Sequence, residues 1–202
     1  MSSSLGVLRE DPVRARRATS STHQQQIVVQ GVCERWRARV PFLTFTFSIL
    51  CGSAALGTLF DDVIERDPAF AFMIPLIIGH SGNCGGQTAA TVVGDLRCGM
   101  GKPLLNVLWE ETFLSSVSTT LLLGAFVPAA LAVGASTQVI GASVITLMLL
   151  ANAASMFAIS SCYIASAVSI DPAVCAGPIM TTLIDLFGVL VFLGIGKLLL
   201  PV

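Results

Sequence analysis

From Pro41 onward the sequence is a succession of long apolar stretches separated by short polar connections. A peptide group that leaves water for hydrocarbon must satisfy its hydrogen bonds within its own segment, so an apolar run of about eighteen residues or more reads as a membrane-crossing helix. Hydrophobic residues make up 54% of the chain and charged residues 11%, against roughly a quarter charged in soluble domains. A soluble bundle of this composition would lack the polar side chains to cover its own surface. The expectation is an all-α integral membrane protein with five spans, at about 41–60, 69–94, 112–133, 139–168 and 176–200. Net charge is −1, so nothing in the composition points to nucleic acid.

Residues 1–33 differ from the rest. They are rich in Ser, Gln and Arg and read as a disordered or targeting tail, with Ile27–Val40 as a short amphipathic helix leading into a membrane domain over 34–202. Five spans put the termini on opposite sides. The arginine-rich start, Arg97 and Lys102 then share one side, while Arg66 and Lys197 fall on the other, which predicts the N-terminus inside and the C-terminus outside. Which membrane is crossed, plasma or organelle, is not encoded in these features. The acidic segment Asp61–Asp67 reads either as an ordinary exposed loop or as a cation-attracting mouth. Gly134–Gln138 is short and uncharged and predicts an antiparallel hairpin between the third and fourth spans, whereas Ser169–Pro172 reads as a turn. The fourth stretch is too long to stand upright, so it must tilt or let its polar second half emerge.

Within the apolar stretches, a few polar residues stand out. Asp185 is the only acid in the last run and lies about nine residues inside it, so ~14 Å deep at about 1.5 Å per residue. A carboxylate there costs roughly 2.5–3.5 kcal/mol on insertion scales and should face a partner, a bundle interior or a pathway. The second stretch carries Gly79, His80, Ser81, Gly82, Asn83, Cys84, Gly85, Gly86, Gln87, Thr88 and Thr91. Asn83, Gln87 and Thr91 recur every four residues, with His80 three before Asn83, so the four are expected on one helix face. Such a face either hydrogen-bonds to neighbouring helices or lines water. Asn152 reads as interhelical glue, His80 as a hydrogen-bonded packing residue, and Ser81 as no nucleophile, since no second intramembrane His or acid stands near it. The six cysteines form no CxxC pair and read as small packing residues, and the Cys/His density is too low for a zinc or thiolate site.

The run Pro75–Thr91, with Gly82-Asn83 and Gly86-Gln87-Thr88-Ala89, resembles the signature of the membrane domain of MgtE-type magnesium channels, which the family-41 solute carriers share. Asp171-Pro172-Ala173 and the segment from Gly177-Pro178 to Asp185 resemble that domain's last helix, and Leu59–Glu65 resembles the segment after its first. The likeness covers roughly residues 34–200. It implies a non-enzymatic, homodimeric pathway for a divalent cation, Mg²⁺ above all, lined by the second and fifth spans, with no cofactor. Asp185 is then the main ion-binding group, Asp171 an accessory acid at the inner end, and Asn83, Gln87, Gly177 and Thr181 pore-lining candidates. The resemblance equally accommodates a Na⁺- or H⁺-coupled Mg²⁺ exchanger, or a non-transporting partner of a larger transporter. The sequence departs from the pattern in three ways. It shows none of the cytoplasmic N-terminal and CBS domains of the channels. Gly177 stands where the channels can offer a polar side chain, and Thr181 where they can be smaller.

Overall fold

The computed structural model describes residues 32–169 and 172–200. Residues 1–31 of the expected tail, the first five residues of the expected amphipathic helix and Asp171 therefore lie outside the described residues. The chain divides into two compact units at Phe45/Thr46. In the first, the described residues belong to the opening turns of helix α1 (Val32–Gly57). The second unit holds the rest of α1, a 3₁₀ turn at Thr58–Phe60, and helices α2 (Asp61–Arg66), α3 (Ala69–Arg97), α4 (Leu104–Ala132), α5 (Thr137–Ala167) and α6 (Pro172–Leu199).

Four helical segments are long and apolar enough to cross a membrane: Arg39–Arg66, Leu104–Ala132, Thr137–Ala167 and Ile179–Leu199. The chain is a multi-pass, all-helical membrane protein, with no strand among the described residues. Helix α3 is as long as α4 but is not among those four segments, because its Gly, Asn, Gln and Thr residues dilute its apolar content. Helix α4 begins eight residues earlier than the sequence suggested, so the connection expected over 95–111 shrinks to Cys98–Pro103. Apolar Val107, buried in the core, holds this extra turn against the bundle. Glu110 and Glu111 therefore sit on a helix, not in a loop.

Turns fall where backbone freedom is needed. Gly99 (φ +68°) and Gly134 (φ +79°) terminate α3 and α4 in the left-handed conformation. In both, the next residue returns its N–H to a carbonyl five residues back, Met100 to Asp95 and Ala135 to Ala130, closing Schellman motifs. Ser136 then caps α5, its hydroxyl accepting from the Val139 N–H.

Helix directions follow from paired contacts. His80 meets Thr119 and Thr88 meets Glu111, so α3 and α4 are antiparallel. Ser116 meets Asn152 and Thr120 meets Met148, so α4 and α5 form the expected antiparallel hairpin. Between α3 and α6, Phe70 approaches Gly196, Ile78 approaches Gly188 and Met180 approaches Gly85; each pair of numbers adds to 265 or 266, an antiparallel register held along both helices. Helix α5 is the central element, packing on α3, α4 and α6. Its buried side is built of small residues, Ala142, Ala151, Ala154 and Ala158, which let neighbouring backbones come close. One apolar cluster, with Phe70, Ile77, Leu147 and Phe192, fills the Lys197 end, where the Phe70 and Phe192 rings lie 5.3 Å apart. A second, with Val92, Ile159, Met180 and Ile184, fills the Arg97 end. Outward-facing Leu121 and Leu122 on α4 are exposed, as lipid-facing side chains should be.

The acidic segment is helical, not a loop. Asp62 pairs with Lys197 at 3.0 Å, and Asp67 accepts from the Ser136 hydroxyl at 2.6 Å and from the Ala69 N–H at 3.0 Å. Two of its acids thus tie α2 to α6 and α5 while starting α3. Asp61 and Glu65 remain exposed.

Candidate functional site

Asp185 is carried by α6, whose buried edge runs through Met180, Ile184, Gly188 and Phe192. The carboxylate sits beside that edge, half-buried, and no cation or hydrogen-bond donor among the described residues reaches it. A carboxylate in that setting needs a counter-charge or water to remain ionised.

On α3 the inward face is Phe70, Ile77, Ser81, Gly85, Thr88 and Val92, at the three-to-four-residue spacing of one helix side. Asn83, Gln87 and Thr91 share another side, as the spacing predicted, and that side is exposed in the protomer. The Asn83 and Gln87 side chains hydrogen-bond to nothing among the described residues, while the Thr91 hydroxyl donates to the Gln87 carbonyl at 3.1 Å. His80 departs from that face. It turns toward α4, with Nε2 3.1 Å from Thr119 Oγ1 and 3.5 Å from Cys84 Sγ, and so plays the expected packing role. Ser81 is buried and donates to the Ile77 carbonyl at 2.8 Å, which occupies its only proton. Asn152 is interhelical glue: it accepts from Ser116 at 3.0 Å and donates to the Met148 carbonyl at 2.8 Å.

The α3–α6 register sets depths. With residue numbers adding to about 266, Asp185 is level with Ser81, Asn83 with Leu183, Thr181 with Gly85, and Gln87 with Ile179. Asn83, Gln87, Thr181 and Asp185 thus fall within a band ~9 Å tall at about 1.5 Å per residue. They do not bond to one another in a protomer: Asn83, Gln87 and Thr181 are exposed. Gly177 lies early in α6. No group of three or more His, Cys, Asp or Glu gathers among the described residues, so they hold no ready cage for a transition metal.

The structure also assembles a cluster that spacing did not reveal. Between α3, α4 and α5 lies an open polar cleft of about 360 Å³, lined among others by Gln87, Thr88, Glu111, Ser115, Ser118 and Ser155. Thr88 Oγ1 donates to Glu111 Oε2 at 2.9 Å and lies 3.2 Å from Ser155 Oγ. The only available signal was the apolar periodicity of 104–109, which extends α4 back past Glu111. At the same end, Lys102 pairs with Glu110 and its carbonyl accepts from the Tyr163 hydroxyl at 2.6 Å, so the polar second half of α5 packs on the α3–α4 connection. The Glu110 carboxylate, by hydrogen bond and charge, holds exposed Lys102 above the ordinary lysine range.

Comparison with known proteins bears on this arrangement. Residues 74–195 match the sequence model of the MgtE family, described as a divalent cation transporter. The magnesium transporter MgtE of Thermus thermophilus is 30% identical over 180 residues, which cover 84% of this chain and 38% of that protein. The magnesium transporter MgtE of Bacillus subtilis is 27% identical over 161 residues, covering 78% of this chain and 35% of its own length. The chain therefore spans little more than a third of the length of these relatives.

Proposed function

This chain belongs to the MgtE family of divalent cation transporters, and we propose on that footing that it carries a divalent cation, Mg²⁺ first, across a membrane without catalysis. The observation that carries the reading is Asp185, a half-buried carboxylate in mid-span with no protein cation or donor among the described residues. Mg²⁺ sheds water reluctantly and is usually held by one or two carboxylates through a partly retained shell, so a single acid per protomer suits it.

In this reading α3 is the second of five spans. It keeps register with α6 from Gly196 to Met180, about 24 Å at 1.5 Å per residue, and it runs antiparallel to both α4 and α6. A helix in that position shares the depth of the helices it pairs with. Five spans then leave the N-terminus inside and the C-terminus outside, with Arg97 and Lys102 on the inner side.

The reading also takes the pathway to be shared by two protomers. Asn83 and Gln87 are unsatisfied and exposed, at the depth of Asp185 and Thr181. Within residues 46–57 of α1 only Ser53 is buried. Gly79, Gly82 and Gly86 have open space where a Cβ would stand, so a second α3 or α6 can come close there. Two Asp185 carboxylates facing one pore repel when both are ionised, and a divalent cation relieves that repulsion. Asp171 and Gly177 would extend the path inward.

Reconstitution of the chain alone into liposomes, with a dye reporting Mg²⁺ entry, tests this. Asp185→Ala is expected to abolish flux while the protein still inserts and keeps its oligomeric state. Mg²⁺ uptake by that variant equal to the unsubstituted chain would overturn the assignment.

A further inference from the structure

The cleft between α3, α4 and α5 adjoins the Asp185 band, with which it shares Gln87, but it is bounded by α4 and α5 instead of α6. Three of its hydroxyl residues are almost completely buried: Thr88 at 4% exposure, Ser115 at 6% and Ser155 at 0%. Thr88 and Ser155 are engaged with each other and with Glu111 Oε2. Ser115 is different: its hydroxyl lines the cleft, is buried, and has no nitrogen or oxygen hydrogen-bond partner among the described residues, although the Cys84 thiol stands near enough to interact with it. The Cys84 thiol, also in the cleft, is engaged with His80. Among the described residues Glu111 has no ion-pair partner, since the nearby lysine, Lys102, is taken by Glu110. Exposed Trp109 stands one residue from Glu110 on α4 and fits a membrane-interface anchor, which puts Glu111 just inside the hydrocarbon boundary.

The site therefore offers one carboxylate charge, several hydroxyl oxygens and an amide, all hard donors, around a space large enough for an ion with some of its water. Water alone would satisfy the Ser115 hydroxyl but would leave the Glu111 charge without a counter-charge. A divalent ion held by this single carboxylate would keep a net positive charge, whereas the Asp185 pathway can bring one carboxylate from each of two protomers. A monovalent alkali cation balances one carboxylate and accepts neutral oxygens. We propose that Glu111, Thr88 and Ser115 form a binding site for a single Na⁺-like cation, entered from the Arg97 end and built without the Asp185 carboxylate.

Purified full-length chain in lipid nanodiscs, freed of divalent ions by chelator, tests the proposal. Na⁺ replaces choline at constant ionic strength while the thermal midpoint and ²²Na⁺ binding are followed. The expected result is a saturable Na⁺-dependent rise in the midpoint that K⁺ at the same concentration does not match. Glu111→Gln should weaken apparent Na⁺ affinity at least tenfold, and Ser115→Ala severalfold, in both readouts. Glu65→Gln, exposed at the Lys197 end of the bundle, should change neither. Asp185→Asn should keep the Na⁺ response, so loss of the divalent pathway and loss of this site read separately. Absence of saturable ²²Na⁺ binding, an unchanged response in Glu111→Gln, equal effects of choline and Na⁺, a Glu111-dependent response to Mg²⁺ in place of Na⁺, or loss of the response in Asp185→Asn would each overturn it.

Discussion

Replacing Gly85 with alanine tests whether close backbone packing on α3 sets the geometry around Asp185. A Cβ at Gly85 would stand 2.6 Å from Met180 Sδ and 3.0 Å from the carbonyl oxygen of Ala154. The thioether can swing aside, but the carbonyl belongs to the α5 backbone, so α3 and α5 must part by some tenths of an ångström. Overpacking of this kind costs about 1–3 kcal/mol, while alanine returns about 1 kcal/mol over glycine in a helix interior. Gly124→Ala on α4 is the control, because nothing lies within 4 Å of its Cβ position and it collects the propensity gain alone. Subtracting the two cancels propensity and leaves the ~1–3 kcal/mol of steric cost. For a chain of this size that is a difference of about 2–12 °C in thermal midpoint, at 2–4 °C per kcal/mol. Midpoints are read by fluorescence-detected unfolding in one detergent at one scan rate. Gly85 is level with Thr181, about one helical turn from Asp185, so the same variant should also lower Mg²⁺ flux in liposomes. Equal midpoints for Gly85→Ala and Gly124→Ala would refute the close-packing reasoning.

Three further outcomes follow from contacts at the helix ends and in the hairpin. Ser136→Ala removes both the α5 cap and the donor to Asp67, and should cost about 0.5–2 kcal/mol in thermal unfolding, with Asp67→Asn giving a smaller loss because its amide oxygen still accepts. Asn152→Ala should destabilise by about 0.6 kcal/mol, at most ~1.7, and Ser116→Ala on top of it should add little, since the two share one hydrogen bond. The folded-state pKa of Lys102 lies above its unfolded value, so the Lys102–Glu110 pair contributes equally throughout neutral pH and is lost only as alkaline pH passes that raised value. Stability of Glu110→Gln and the unsubstituted chain should therefore run parallel between mildly acidic and mildly alkaline pH, and side-chain NMR should report a lower Lys102 pKa in the variant.

The sequence by itself determined the helical class and the membrane setting. Apolar length forces helices in hydrocarbon, where backbone groups have no other partner, and Gly99 and Gly134 mark C-termini because only a residue tolerant of positive φ closes those turns. It also put Asn83, Gln87 and Thr91 on one face, since helical periodicity needs no neighbour to define it. Which way each face turns was decided only by tertiary structure. In a membrane helix the lipid-facing and the buried sides are both apolar, so Leu121, exposed, and Leu147, buried, read alike in sequence. The glycines of the second stretch likewise looked equivalent, yet Gly85 is wedged against Met180 and Ala154 while Gly79, Gly82 and Gly86 meet open space. Glu111 read as part of a connection until Val107 drew α4 back by two turns. Asp62 and Asp67 read as a loop until Lys197 and Ser136, far off in the chain, came within bonding distance. Contacts between residues distant in sequence leave no periodic trace in either segment, and for that reason the packing of the helices, not their order, fixes what each polar side chain can do.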